Sequence, residues 1–285
     1  MNEQMRETIL RGSRAYPIVL YNLPNEQHPL YAPFHWQDDV EILIITNGKV
    51  ELTLKGEVSL LHSGDIICIN PGELHSFHAS TPDASCEIFI FPLEHLLFSH
   101  EDHDQNRYLH PLTEGQLGFP MHMDKESTAL VLQAVELQKQ RPVAYELQTK
   151  ALLLRWIARL VQENSIIPLH PSKQNDVCKE ILTYISQHYT EPLTVSEVAS
   201  AVGISPTYFS AFFTEHFSQH FVEYLRCIRI EQACALLLDT TMSITEIAMG
   251  VGYNSCSHFI SHFRQTIGMT PLVYRKKSKN TSISP

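Results

Sequence analysis

The strongest constraint on the fold of this chain is an internal repeat near its C-terminal end. Residues 193–203 (LTVSEVASAVG) align with residues 242–252 (MSITEIAMGVG), and the match continues past the glycine through an aromatic pattern that ends at Tyr224 and Tyr274. Because a repeated sequence pattern indicates a repeated supersecondary unit, this part of the chain is predicted to contain the same unit twice.

Each copy carries the signals of a helix, a tight turn and a second helix. A Ser or Thr followed three residues later by Glu is a capping box, and the glycine further on suits the residue that ends a helix. The predicted N-caps are Thr194 and Ser243, the glycines are Gly203 and Gly252, and the second helices are predicted to begin at Ser205 and Asn254. Helix, short turn and helix is the helix-turn-helix unit, so the tandem pattern predicts a DNA-binding domain.

The distribution of charge places DNA binding at the same end of the chain. The net charge is −10, but residues 1–172 contain 12 basic and 22 acidic side chains, whereas residues 173–285 contain nine of each. An acidic surface repels nucleic acid. The DNA contacts are therefore expected in residues 173–285.

The C-terminal repeat resembles the DNA-binding domain of the AraC/XylS family of bacterial transcription regulators. The stretches that carry the resemblance are LTVSEVASAVGISPTYFSAFF and SITEIAMGVGYNSCSHFISHFRQTIGMTPLVYR. The last one contains the family's most specific signature, matched here by Gly268, Thr270, Pro271, Tyr274 and Arg275. The resemblance implies a long helix, Phe221 to Leu238, that joins the two units.

Aligning the chain with the family's recognition helices implies a set of DNA-binding residues. They are Thr207, Tyr208, Ser210 and Ala211 in the first unit and Cys256, Ser257, Ile260 and Ser261 in the second, with Arg264 near phosphates. The family often has Arg at Ala211 and Ser261, Lys at Thr214 and Gly at Ser218. Guanine readout by a bidentate Arg is therefore not available at two of these positions.

Basic residues are unevenly divided between the two units. The first recognition helix has Glu215 and no Lys or Arg, whereas Arg264 and a later cluster belong to the second unit. That cluster is Arg275, Lys276, Lys277 and Lys279. Phosphate contacts are therefore predicted to concentrate on the second unit.

The N-terminal half has the pattern of a small β-rich domain followed by helices. Between Pro17 and Pro92, short runs rich in Val, Ile and Phe alternate with turn residues, and Asn47-Gly48 is predicted to form a hairpin turn. Helices are predicted at residues 126–140 and 144–163, and the proline-containing segment 164–176 is interpreted as a linker. The predicted domains are residues 1–163, a sensor and dimerisation domain, and residues 177–285, the DNA-binding domain.

Two stretches of the N-terminal half resemble the two motifs of cupin barrels: residues 35–48, which begin HWQDDVE, and residues 64–75 (GDIICINPGELH). The fold class expected is therefore α+β with two domains, a cupin-like β-barrel with helices and an all-α tandem helix-turn-helix domain. Metal-binding cupins use two His, one Glu and a later His. This chain offers His35, Glu41 and His75, but Gln37 stands at the second histidine position. We therefore expect a ligand pocket and no catalytic metal, catalytic residue or cofactor.

The expected pocket residues are His35, Trp36, Glu41 and His75. The family resemblance favours a sugar or related metabolite as the small-molecule effector, with Trp36 stacking on a pyranose ring and Glu41 and His75 bonding hydroxyls. Trp36 is equally consistent with a rim or core position. The resemblance also implies a homodimer formed through the two helices after the barrel, and makes RNA polymerase a candidate partner beside double-stranded DNA.

Two other functions fit parts of the sequence. One is a cupin metalloenzyme, such as a dioxygenase or isomerase, with a helical appendage; the other is a constitutive DNA-binding protein whose barrel only dimerises. The missing second histidine disfavours the enzyme, and the tandem repeat favours the regulator. Six scattered cysteines without a CxxC pair, no signal peptide and no long apolar run predict a cytoplasmic protein that has reduced thiols and no membrane partner.

Overall fold

The computed structural model describes residues 13, 15–24, 30–100, 102–169 and 173–281, without the side chains of residues 173–175, 239 and 277–281. The strands are β1 (Val19–Leu23), β2 (Tyr31–His35), β3 (Val40–Asn47), β4 (Lys49–Leu54), β5 (Glu57–His62), β6 (Ile66–Ile69), β7 (His75–Ala79), β8 (Ser85–Phe91), β9 (Leu117–Gly118) and β10 (Ile167–Pro168). The helices are α1 (His110–Thr113), α2 (Lys125–Gln140), α3 (Tyr145–Gln162), α4 (Lys173–His188), α5 (Val195–Ala201), α6 (Pro206–Phe217), α7 (Phe221–Asp239), α8 (Ile244–Gly250), α9 (Cys256–Ile267) and α10 (Pro271–Thr281). A 3₁₀ turn, Leu93–Leu96, and a π-helical turn, Gln105–Leu109, precede α1.

The first eight strands form two antiparallel sheets that face each other. Their orders are β1-β8-β3-β6 and β2-β7-β4-β5. Apolar side chains from both sheets fill the space between them, among them Leu43, Leu52, Ile69 and Phe77. This confirms the expected β-rich N-terminal domain.

The predicted hairpin at Asn47-Gly48 is wrong, although the turn itself exists. Asn47 pairs with Ser85 in one sheet, whereas Lys49 pairs with His62 in the other. The turn therefore carries the chain from one sheet to the other. Gly48 has a φ of 62°, and a Cβ there would lie 2.7 Å from the backbone of Ala84, so the close approach of this turn to the segment between β7 and β8 requires glycine.

Strand β3 is buried on both faces. Val40, Ile42 and Ile44 pack toward α2 and α3, in a core that also contains Trp156, whereas Leu43 packs between the two sheets. Since successive side chains of a strand point to opposite faces, Glu41 shares the inward face of β3 with Leu43. An acidic residue is thus placed in the interior of the barrel.

The C-terminal region is helical throughout, and α7 joins two helix-turn-helix units, α5–α6 and α8–α9. Both capping boxes are confirmed: Thr194 with Glu197, and Ser243 with Glu246. The 19 residues of α7 span about 28 Å, close to the ~34 Å between successive major grooves. The prediction that the second recognition helix begins at Asn254 is wrong by one residue, because the Ser255 hydroxyl accepts the hydrogen bond from the backbone N–H of His258.

The segment interpreted as a linker contains ordered structure. Ile167 and Pro168 pair with Gly118 and Leu117, and α4 begins at Lys173. Among the described residues, no helix combines the length and apolar character that a membrane span requires.

Candidate functional sites

The predicted DNA-binding side chains lie on the outer faces of α6 and α9. Phe209, Phe213, Phe259 and Phe263 are buried beneath them. The predicted residues Thr207, Tyr208, Ser210, Ala211, Ser257, Ile260, Ser261 and Arg264 are exposed, and Cys256 is half-buried. The helical period therefore separates an aromatic core face from a face available for DNA.

The two recognition helices offer different chemistry. On α6 the Ser210 hydroxyl donates its hydrogen to the Pro206 carbonyl oxygen at 3.0 Å. Toward the outside, this hydroxyl therefore offers its oxygen lone pairs as hydrogen-bond acceptors. On α9 the Arg264 guanidinium is exposed, whereas burial, together with the charges of Arg226 and His258, lowers the pKa of His262. His262 is therefore neutral near pH 7 and adds no charge for a phosphate. Arg264 is therefore the exposed cationic side chain of α9.

The basic cluster at the chain end is only partly available. The Nε atom of Arg275 donates to the Leu237 carbonyl at 3.2 Å and so helps to close the C-terminal end of α7. Lys276 is exposed, and the side chains of Lys277 and Lys279 lie outside the described residues. The phosphate contact predicted for Arg275 competes with this structural hydrogen bond.

The second candidate site is a polar cluster inside the barrel, built from three strands. His35 ends β2 and pairs across the strands with His75, the first residue of β7, and their ring centroids are 4.2 Å apart. Glu41 comes from β3 in the opposite sheet, and its Oε2 atom lies 3.5 Å from Nε2 of His75. Glu41 and His75 are buried, and His35 is half-buried. The sequence prediction that these three residues meet agrees with this geometry.

Burial and the charge of Glu41 have opposite effects on the pKa of His75 in this cluster. Burial lowers the pKa of His75, but the Glu41 carboxylate and the Glu73 carbonyl act in the other direction, and the net effect is a raised pKa. The carbonyl contact is the hydrogen bond from His75 Nδ1, at 2.9 Å. The cluster thus stabilises positive charge beside Glu41.

Gln37 completes the cluster, at the position where a metal-binding cupin has histidine. Its Nε2 donates to Glu41 Oε2 at 2.7 Å. The Gln37 side chain is buried, and its Oε1 atom has no hydrogen-bond partner among the described residues. From its sequence position Gln37 is only a missing histidine ligand, whereas in the structure it is a buried neighbour of Glu41 whose Oε1 atom accepts no hydrogen bond from the described residues.

Trp36 does not share the barrel interior with these residues. It is 9 % exposed and packs with residues of the DNA-binding domain, including Ile181 of α4, and the Lys179 ammonium lies 6.0 Å from its ring centroid. The expectation that Trp36 stacks on a sugar together with Glu41 and His75 is therefore wrong. Residues alternate along an extended segment, so Trp36 points away from the cluster that contains His35 and Gln37.

The barrel and the first helix-turn-helix unit are joined by an interface that the sequence analysis missed. The Phe34 and Phe217 rings pack edge to face at 5.2 Å, and the Tyr224 hydroxyl donates to the Phe34 carbonyl at 2.9 Å. In the sequence, the aromatic residues Phe34 and Trp36 alternate with the polar residues His35 and Gln37. This period of two could have indicated a strand end with one apolar face and one polar face. One strand end thus carries both a cluster residue and the contacts to the DNA-binding domain.

The six cysteines are free thiols. Burial raises the pKa of Cys86, Cys178 and Cys234 to about 12 in each case. A buried thiol with a raised pKa is a poor nucleophile and a poor metal ligand. These three side chains therefore have packing roles.

Two family models match the chain. The model described as an AraC-like ligand binding domain covers residues 23–156, and the model described as a helix-turn-helix domain covers residues 198–277. The uncharacterized HTH-type transcriptional regulator YdeC of Bacillus subtilis is 26% identical over 97% of this chain and 97% of its own. The melibiose operon regulatory protein of Escherichia coli is 26% identical over 86% and 84%. A structure of an apo ToxT variant from Vibrio cholerae shares the fold, with a TM-score of 0.50 at 14% identity over 94% and 99%.

Proposed function

Since the chain belongs to the AraC/XylS family of transcription regulators, we propose that α6 and α9 bind successive major grooves of double-stranded DNA and that a ligand bound at His35, Glu41 and His75 changes this binding. The observation that carries the proposal is the position of His35. It belongs to the buried polar cluster and lies between Phe34 and Trp36, which pack on the DNA-binding domain. A ligand that moves His35 therefore acts directly on the domain contact.

The effector class favoured by the family resemblance is a sugar or related metabolite. One relative is named for melibiose, a sugar, which supports this class. The buried imidazole and carboxylate groups are suited to hydroxyl hydrogen bonds. A thermal-shift screen of the purified chain against sugars and other metabolites tests the class, because a ligand that binds the folded state raises the melting temperature.

A homodimer formed through α2 and α3 is part of the same proposal. These helices expose Leu132 and Leu147, with Val143 between them 94% exposed. Dimerisation would double the DNA contacts of a chain with few available cations. Sedimentation of the full chain and of a Leu132→Glu/Leu147→Glu variant tests this, and an unchanged mass of the variant contradicts the α2–α3 interface. RNA polymerase remains a candidate partner, to be tested by transcription from a bound promoter.

The DNA-binding part of the proposal is tested by selecting binding sites from a pool of random duplexes and footprinting the protein on the selected duplexes. Two protected major-groove segments about one helical turn apart are expected. A matched pair of variants uses two exposed serines of the first unit, Ser210 on α6 and Ser200 on α5. Ser210→Ala should change the selected sequence, whereas Ser200→Ala should not. Protection of a single groove contradicts the two-unit arrangement.

The role of the barrel cluster is tested separately. Glu41→Gln should abolish the response of DNA binding to the effector that the screen identifies, while leaving binding without effector intact. The reason is that Glu41 lies on β3, inside the barrel, and carries the charge of the cluster. A normal response in a folded Glu41→Gln protein would contradict the assignment of the ligand site.

A further inference from the structure

The polar cluster of the barrel has the donor set and the spacing of a metal site. His35, Glu41 and His75 each offer a ligand atom, and these atoms lie within 4.8 Å of one another. Two ligands about 2.1 Å from a tetrahedral ion lie roughly 3.4 Å apart. The distance of 3.5 Å between His75 Nε2 and Glu41 Oε2 is already close to that separation.

The hydrogen bonds of the two histidines orient them for metal binding. Nδ1 of His35 lies 2.8 Å from the Pro33 carbonyl, and Nδ1 of His75 lies 2.9 Å from the Glu73 carbonyl. A carbonyl oxygen can only accept, so each Nδ1 carries the hydrogen and the neutral ring keeps its lone pair on Nε2. Metal-binding histidines are held in this way, with the second ring nitrogen donating to a carbonyl or carboxylate.

Gln37 offers a fourth possible ligand atom beside those of His35, Glu41 and His75. Its Nε2 group donates one hydrogen bond that orients Glu41, and its buried Oε1 atom has no hydrogen-bond partner among the described residues. A buried carbonyl-type oxygen without a donor costs free energy, and a cation would relieve that cost. Amide oxygen is a weaker ligand than imidazole, so Gln37 suits a site that releases its ion more readily than one with three histidines.

We propose that His35, Glu41 and His75, assisted by Gln37, bind a divalent transition-metal ion, and that this ion is an effector of the regulator. The claim that the ion is an effector rests on the proposed function, whereas the claim that these residues bind an ion does not. Binding draws His35 toward Glu41 and His75. Because His35 is flanked by Phe34 and Trp36, the bound ion fixes the strand end on which the first helix-turn-helix unit packs.

Metal binding is measured first, with Zn²⁺ in equilibrium dialysis and Co²⁺ in absorption spectroscopy, on full-length protein without a histidine tag. One ion per chain is expected. The Co²⁺ complex should show weak visible bands and no strong near-ultraviolet band from a thiolate, because the ligands are nitrogen and oxygen. A thiolate band, or the absence of saturable binding, overturns the proposal.

Variants then locate the ion. Glu41→Gln and His75→Gln should each weaken Zn²⁺ binding by tenfold or more, and Gln37→Leu by about tenfold. Gln37→His should tighten it. The matched control is His78→Ala, on the same strand as His75 but with a side chain that is 49% exposed. Circular dichroism identifies variants that have not folded, and Gln37→His keeps the test open if the others fail to fold. Equal binding by all variants overturns the site.

The effector role is tested by DNA affinity with and without Zn²⁺, on a site selected by the full chain. A change of at least tenfold in the wild-type protein, absent in His75→Gln and retained in His78→Ala, supports the role. Bound metal without any change in DNA affinity overturns it, while leaving the regulator open to other ligands. Failure to bind any selected DNA is the separate failure of the proposed function.

Discussion

Replacement of Ser218 by glycine should stabilise the DNA-binding domain. Helix α6 ends at Phe217, and the next residue, Ser218, has φ 52° and ψ 19°, the left-handed conformation. The equivalent residue of the second unit is Gly268, with φ 82°. The two units thus end their recognition helices in the same conformational region, but only the second uses the residue suited to it.

The magnitude follows from two opposing effects. A residue with a Cβ in this conformation costs roughly 1–2 kcal/mol. Glycine removes that cost but gains about 0.4–1 kcal/mol of backbone entropy in the unfolded chain, which opposes folding. The net expectation is a stabilisation of about 0.5–1 kcal/mol. For a domain of about 100 residues this raises the melting temperature by roughly 2–8 °C.

Scanning calorimetry of the full chain provides the measurement. Ser218→Ala is the matched control, because it keeps the Cβ and should leave the melting temperature nearly unchanged. By the same balance of conformational cost and unfolded-chain entropy, Gly268→Ala should destabilise the second unit by about 0.5–1 kcal/mol. Steric overlap adds nothing to this value, because a Cβ at Gly268 meets nothing within 4 Å. A Ser218→Gly protein that melts no higher than Ser218→Ala would refute the reasoning.

Three further predictions concern DNA binding and stability. Arg264→Ala should weaken binding to all sequences, whereas Ser257→Ala should change sequence preference more than overall affinity; competition assays with different duplexes separate the two effects. The slope of log K against log salt should be shallow, about −3 to −5 per protomer, and a much steeper slope for isolated residues 173–285 would contradict the count of available cations. Hydrogen bonds from Thr194 and Ser243 lower the pKa of Glu197 and Glu246, respectively. The two carboxylates therefore stabilise the folded state fully above their unfolded-state pKa, and this stabilisation is lost as the pH falls through their lowered folded-state pKa values. The Glu197→Gln/Glu246→Gln protein should accordingly lose less stability on acidification than the wild-type protein.

Local signals made the C-terminal domain predictable. A capping box acts within four residues, so Thr194 with Glu197 could be read directly from the chain. The burial of Phe209 and Phe213, as well as that of Phe259, follows from helical period. These features depend on neighbours in sequence, which is why their structural roles agree with the predictions.

Contacts between distant segments were not predictable in the same way. Asn47-Gly48 correctly indicated a turn, but the choice between a hairpin and a crossing to the second sheet depends on Ser85 and His62, which lie far along the chain. The burial of Trp36 could not be predicted, because it depends on where α4 packs against the extended segment that follows β2. The role of Gln37 depends on its distance from Glu41, which motif comparison alone does not give.

The two helix-turn-helix units are unequal, and the inequality suits regulation through the barrel. The first recognition helix has no Lys or Arg, whereas the second has Arg264, so the first unit gains less from phosphate contacts. The first unit also packs on the barrel through Phe217 of α6, next to the contact that Tyr224 of α7 makes with the Phe34 carbonyl. A ligand can shift an equilibrium only by its differential affinity for two states, and couplings between sites are typically about 1–3 kcal/mol. Such a coupling changes both binding constants by the same factor, but it changes the fraction bound more for a unit that is partly occupied than for one near saturation. In the proposed function the barrel therefore acts on the weaker half of the DNA interface, while the second unit keeps the protein on DNA.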